Sequence, residues 1–186
     1  MKWIALIAVL AFWTAQAFAE EGNYLLGPLE QAEAVTIDAQ LSSINVYGVA
    51  LGMSEKEVEK AIRRERNKDG DIHYRIQKIE RECEERHGAK WCVYPDFAVA
   101  GVRWPLIARF SGGSLSGVSL EAPEGGSLRS RFKSLLATYA SDMAEQIPPT
   151  QSDADSMAWQ GESIVVSIDW EAGKMMYIDT SAGIEQ

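Results

Sequence analysis

The chain has 186 residues, with 18 basic against 27 acidic side chains and a formal charge of −9. That length fits one compact domain with a core of its own. The acidic balance disfavours nucleic acid and anionic lipid as partners and favours basic ones.

Met1 and Lys2 give a charged start, and Trp3 to Phe12 an apolar run. Two small-residue exits follow, Ala15-Gln16-Ala17 and Ala17-Phe18-Ala19, and then Glu20-Glu21. This order is that of a cleaved secretory signal peptide at 1–19, with the cut between Ala19 and Glu20 preferred over one after Ala17. A membrane anchor would need a longer apolar run, and Thr14 and Gln16 interrupt this one. No cysteine follows the cut to carry a lipid, so neither a lipid anchor nor a membrane span is expected. The expected product is a single soluble domain, 20–186, in the periplasm or secreted.

Gly27-Pro28 breaks a mixed leader, and Val35, Ile37, Leu41, Ile44, Val46 and Val49 suggest one or two short strands. Gly52-Met53-Ser54-Glu55-Lys56-Glu57-Val58 then predicts a helix start. Ser54 can accept from the Glu57 amide, the Glu57 carboxylate can reach back to the Ser54 amide, and Met53 and Val58 form a staple. Val58, Ala61 and Ile62 give that helix an apolar face. Asn67 to Asp71 end it in a polar turn. The turn is not a calcium loop, because Ile76 stands where the bidentate glutamate belongs.

Residues 72–88 carry both periods. Ile72, Tyr74 and Ile76 alternate like a strand, while Ile76, Ile79 and Cys83 share a helix face, and the charged content favours helix from about Tyr74. His87 would then sit in its last turn and Gly88 at its C-cap. Strands are expected over Val93–Val99 and Val102–Phe110, a turn at Ser111-Gly112-Gly113, and a return through Leu115, Val118 and Leu120. Ser127 caps a second helix with Leu128, Phe132, Leu135, Leu136, Tyr139 and Met143 at helical spacing. An exposed connection from Ile147 to Ser156 leads to a hairpin: Ile164, Val166, Ile168 and Trp170, a turn at Glu171–Gly173, then Met175 to Thr180. The expected fold is α+β, two amphipathic helices packed on one face of an antiparallel sheet, with a charged insertion at about 64–91.

The two cysteines, Cys83 and Cys92, suit a disulfide in an exported chain, contributing about 2–3 kcal/mol. The same pair with His73 and His87 would make a zinc site only if all four converged, and oxidation competes for both thiols. Cys83 beside His87 on a helix could serve as a nucleophile only as a free thiol. Gly113-Ser114-Leu115-Ser116-Gly117 has leucine where a nucleophile elbow needs serine. No phosphate loop or dinucleotide fingerprint occurs, so no cofactor is expected. No carboxylate pair sits in an apolar context that would raise its pKa.

Trp91, Trp104, Trp159 and Trp170, with Tyr94 and Tyr177, fall in or beside the expected strands. On an exposed sheet face, Trp159, Trp170, Trp104 and Tyr177 would make an interface. Facing the helices they are core, and core weighs more. Trp159 is the one placed at the surface, because it follows the polar connection.

Tyr47 to Val58, with its Leu51-Gly52-Met53-Ser54 and Val58, resembles the opening of a class of small bacterial envelope domains. Phe110-Ser111-Gly112-Gly113-Ser114-Leu115-Ser116-Gly117-Val118 resembles their "F-x-x-G-x-L-x-x-V" hairpin. The class includes the β-lactamase inhibitory proteins and the BamE-like small lipoprotein of the outer-membrane β-barrel assembly machine. The resemblance spans about Tyr47 to Thr180. It implies a non-catalytic module that binds another envelope or exported protein, as an inhibitor, an immunity factor or an assembly accessory. This chain departs from it in lacking the lipid-bearing cysteine and in carrying the charged insertion. Two rival readings are a small carboxylate-dependent hydrolase and a lipid or small-ligand carrier; these need a cleft with paired acids and a sizeable apolar cavity, respectively.

Overall fold

The computed structural model describes residues 37–68, 79–99, 102–122 and 126–182, all within the compact unit Glu33–Gln186. The signal segment, the Ala19–Glu20 cut and the strand-or-helix segment 72–78 lie outside these residues. Eight strands form one antiparallel sheet: β1 (Glu82–Arg86), β2 (Ala89–Val99), β3 (Val102–Ser111), β4 (Ser114–Glu121), β5 (Gln151–Ser152), β6 (Ser156–Gln160), β7 (Ile164–Asp169) and β8 (Lys174–Asp179). Their order is β1-β2-β3-β4-β8-β7-β6-β5. Two four-stranded meanders, each built from local hairpins, therefore meet edge to edge at β4 and β8. The β4–β8 pairing is the one that brings distant segments together.

Three helices occur among the described residues: α1 (37–41), α2 (Glu55–Lys68) and α3 (Gly126–Gln146). Only α3 is long. The expected architecture of two helices packed on a sheet is thus corrected to a strand-dominated fold. The largest contribution to the difference is the charged stretch. Residues 82–91, read as insertion and helix, are β1 and the start of β2, with Cys83 opposite Cys92 and Arg86 opposite Ala89. His87 and Gly88 have φ of 48° and 72°. Positive φ at both central residues is the hairpin turn whose twist matches the strands it joins. Turn geometry and strand pairing override the helix propensity of Glu and Arg, a weak prior worth tenths of a kcal/mol per residue. Gly112 and Gly113 repeat this turn between β3 and β4.

The helix start at Ser54 forms, with one change in its wiring. The Glu57 carboxylate accepts from both the Ser54 amide and the Ser54 hydroxyl, each at 2.8 Å. The Glu57 amide donates to the Ser54 carbonyl instead of its hydroxyl. These bonds hold the Glu57 carboxyl below the usual carboxylate range. Val58 and Ile62 of α2 enter the core. Glu55 pairs with Lys90 at 2.7 Å and with Arg81, which also meets Glu59, tying α2 to the β1–β2 hairpin. On α3, Phe132, Leu136, Ala140 and Met143 are buried, whereas Leu128, expected on the same apolar face, is 49% exposed.

The short strands expected between Val35 and Val49 are α1 and an isolated bridge, Val46 to Val49, around Tyr47 and Gly48. Asp38 anchors α1 to the far side of the chain. Its carboxylate accepts from the Ser163 amide and hydroxyl, both at 2.8 Å, and from the Ile164 amide at 3.0 Å. Leu41, fully buried, follows on the same turn.

Candidate functional site

The aromatic residues put forward as an interface mostly face inward. Cross-strand register sets Cys83, Cys92, Ala108, Val118, Tyr177, Val166 and Trp159 in one row on the helix-covered face. Trp159 and Tyr177 are fully buried and Trp104 is 1% exposed. The expectation that Trp159 is the surface tryptophan is corrected. The polar connection before it is exposed, but strand alternation turns the ring to the core.

Both Trp159 and Tyr177 use their polar tips inside the protein. The Trp159 indole donates to the Ile147 carbonyl at 2.7 Å, and the Tyr177 hydroxyl to the Leu41 carbonyl at 2.8 Å. Each acceptor lies at the C-terminal end of a helix, where backbone carbonyls lack intrahelical donors. These two rings therefore fasten α3 and α1 to the sheet. Burial pushes the Tyr177 phenol up, with Asp179 adding to it. Trp104 packs on Phe132 of α3 with ring centroids 4.4 Å apart. Trp170 is half-buried against the same core.

Cys83 and Cys92 form a disulfide across directly opposed positions of β1 and β2. Neither is then a thiolate nucleophile or a metal ligand. His87 occupies the β1–β2 turn, and His73 lies outside the described residues. Among the described residues, no three histidine, cysteine or carboxylate side chains are grouped to hold a metal ion. Ser116 is buried, its hydroxyl 3.2 Å from both the Arg109 carbonyl and the Ser111 hydroxyl, as part of the β3–β4 hairpin. No described helix is long and apolar enough to cross a membrane.

The opposite sheet face carries a second apolar pattern. Trp91, Arg109, Gly117, Ile178 and Val165 form one row, and Val93, Ile107, Ser119, Met176 and Ser167 the next. Ile107 and Ile178 are buried, yet they stand apart from the core cluster that the helices join. Half-buried Trp91, Val93, Val165 and Met176 surround them. Gly117 lies between Arg109 and Ile178 in this row, where an added Cβ would make ordinary contact at 3.6 Å with each. Arg109 lies 5.9 Å over the Trp91 ring. Burial pushes its guanidinium pKa down, with Asp179 opposing. Charges frame the patch: Glu82 and Glu84 beside Val93 and Trp91, and the Lys174–Glu121 pair at 3.2 Å on the far rows.

None of the residues put forward as an interface belongs to this surface. Sequence reasoning missed it; the signal that would have pointed to it is that Trp91 and Val93 alternate with Cys92 and Tyr94, which puts apolar residues on both parities of β2. The contributions of Ile107, Met176 and Ile178 needed the β4–β8 pairing. Compared with known proteins, the chain matches no family model, no curated protein and no solved structure.

Proposed function

We propose that this protein is a non-catalytic, exported binding module that docks another envelope or exported protein on the outer face of its sheet. The observation that carries the reading is the second apolar patch, Trp91, Val93, Ile107, Val165, Met176 and Ile178, framed by charge. Buried Ile107 and Ile178, half-buried apolar neighbours and Arg109 over Trp91 give this face the mixed apolar and charged make-up of a protein interface. The leader-like segment at 1–19 and the disulfide support export to an oxidising compartment. The resemblance of Tyr47–Val58 and Phe110–Val118 to protein-binding envelope domains supports the same role. Glutamates on the β1 side and the net charge of −9 favour a partner whose apolar patch has a basic rim.

The test is affinity capture with the full chain from native envelope extract, repeated with Met176→Glu. Met176 is half-buried and outside the helix-covered row, so the variant should fold with a urea midpoint lowered by the partly desolvated carboxylate. One stoichiometric partner, lost with Met176→Glu, is the expected result. A partner retained at full strength by a folded Met176→Glu would move the interface elsewhere, and no partner at low or moderate salt would overturn the binding reading.

A further inference from the structure

A cleft of about 460 Å³ opens between α1, the loop after it and the C-terminal half of α3. It lies apart from the outer sheet face. Its volume falls in the range of small-ligand sites. Ile44, Met143 and Ile147 supply apolar wall, and Gln40, Asn45, Asp142 and Gln146 supply polar wall. Tyr139 closes one side, its ring 5.4 Å from that of Tyr47.

The polar wall of this cleft carries one charge, the Asp142 carboxylate, beside three neutral amides. The Tyr139 hydroxyl donates to the Asn45 carbonyl at 2.9 Å. The Ser43 hydroxyl donates to the Gln40 carbonyl at 2.6 Å, and the Gln146 amide donates to the Asp142 carbonyl at 3.2 Å. These donors are engaged within the protein. What remains for a guest is the Asp142 carboxylate, the side-chain oxygens of Gln40, Asn45 and Gln146, and amide N–H groups on the same three side chains; of these only the carboxylate is charged. No ion pair among the described residues uses Asp142. Burial first, and the Asp142 charge second, push the Tyr47 phenol up to about 12.

We propose that this cleft is a binding site for a primary alkylammonium group, its ammonium seated against Asp142 and its aliphatic chain along Ile44, Met143 and Ile147. A carboxylate, carbonyl-type acceptors and a tyrosine ring together suit a compact cation with three donors. Apolar wall beside them suits the carbon chain that carries it. The cation could be a free amine or a lysine side chain presented by another protein.

Met143 reports directly on occupancy. The full chain, labelled at its methionine methyls, is titrated by NMR with hexylammonium, with hexanol, and with the capped peptide acetyl-Gly-Lys-Gly-amide. Hexylammonium should shift the Met143 methyl saturably, and hexanol should not. Asp142 is exposed on α3, so Asp142→Asn should fold normally and bind hexylammonium about tenfold more weakly. A matching shift with the peptide identifies a lysine side chain as an accepted guest; a shift with the amine alone identifies a free amine. Equal response to hexanol, undiminished binding by Asp142→Asn, or no shift with either cation would overturn the proposal.

Discussion

Truncating Trp159 measures whether this ring belongs to the core or to a surface. The side chain is fully buried among residues of the main cluster and holds the Ile147 carbonyl at 2.7 Å. A tryptophan buries about 250 Å², and at ~25 cal/mol per Å² the transfer term alone approaches 6 kcal/mol, an upper bound. Measured truncations of buried aromatics to alanine cost about 3–5 kcal/mol. The lost indole bond leaves a carbonyl without its side-chain donor and argues for the upper half of that range. Trp159→Ala should therefore destabilise by about 4–5 kcal/mol, a large share of the ~5–15 kcal/mol typical of a domain. Trp159→Phe retains most of the bulk and loses the donor, and should cost about 2 kcal/mol. Equilibrium urea unfolding followed by far-ultraviolet circular dichroism reads both, with unchanged slope as the check on two-state behaviour. A Trp159→Ala protein within 1 kcal/mol of wild type would show that the ring lies outside the core, and would return it to the list of interface candidates.

Asp38→Ala removes three hydrogen bonds to one carboxylate and should cost about 2–3 kcal/mol, with faster hydrogen exchange at the Ser163 and Ile164 amides; unchanged exchange there would contradict the anchoring of α1. Replacing Cys83 and Cys92 together by serine should cost about 2–3 kcal/mol, read by urea unfolding against the oxidised protein, with β1 losing exchange protection before β3. The carboxyl of Glu57 has a pKa below its unfolded value, so its contribution to the α2 start is complete above the ordinary carboxylate pKa and fades as pH falls through the depressed one. An acid titration by NMR should show the Ser54 amide moving in that window in wild type and staying still in Glu57→Gln. Movement of the Ser54 amide in Glu57→Gln would assign the transition to another group.

Several features were decided within a few residues of chain. The Ser54–Glu57 box, the Gly112-Gly113 turn and the α3 spacing of Phe132, Leu136 and Met143 depend on neighbours close in sequence, and each was readable as a pattern. The Cys83–Cys92 pairing was readable too, since only two thiols exist in the chain. The nature of residues 82–88 was not, because Glu and Arg favour helix locally while the β1–β2 ladder and its turn favour strand, and only partners in space resolve that conflict. The side of the sheet on which each aromatic falls was likewise beyond reach. Trp91 and Cys92 are adjacent in the chain yet lie on opposite faces, and which face the helices cover depends on the β4–β8 junction and on where α1 and α3 dock. A strand's alternation states that its two faces differ; burial of one of them is a property of the whole assembled sheet, set by which surface removes more apolar area from water.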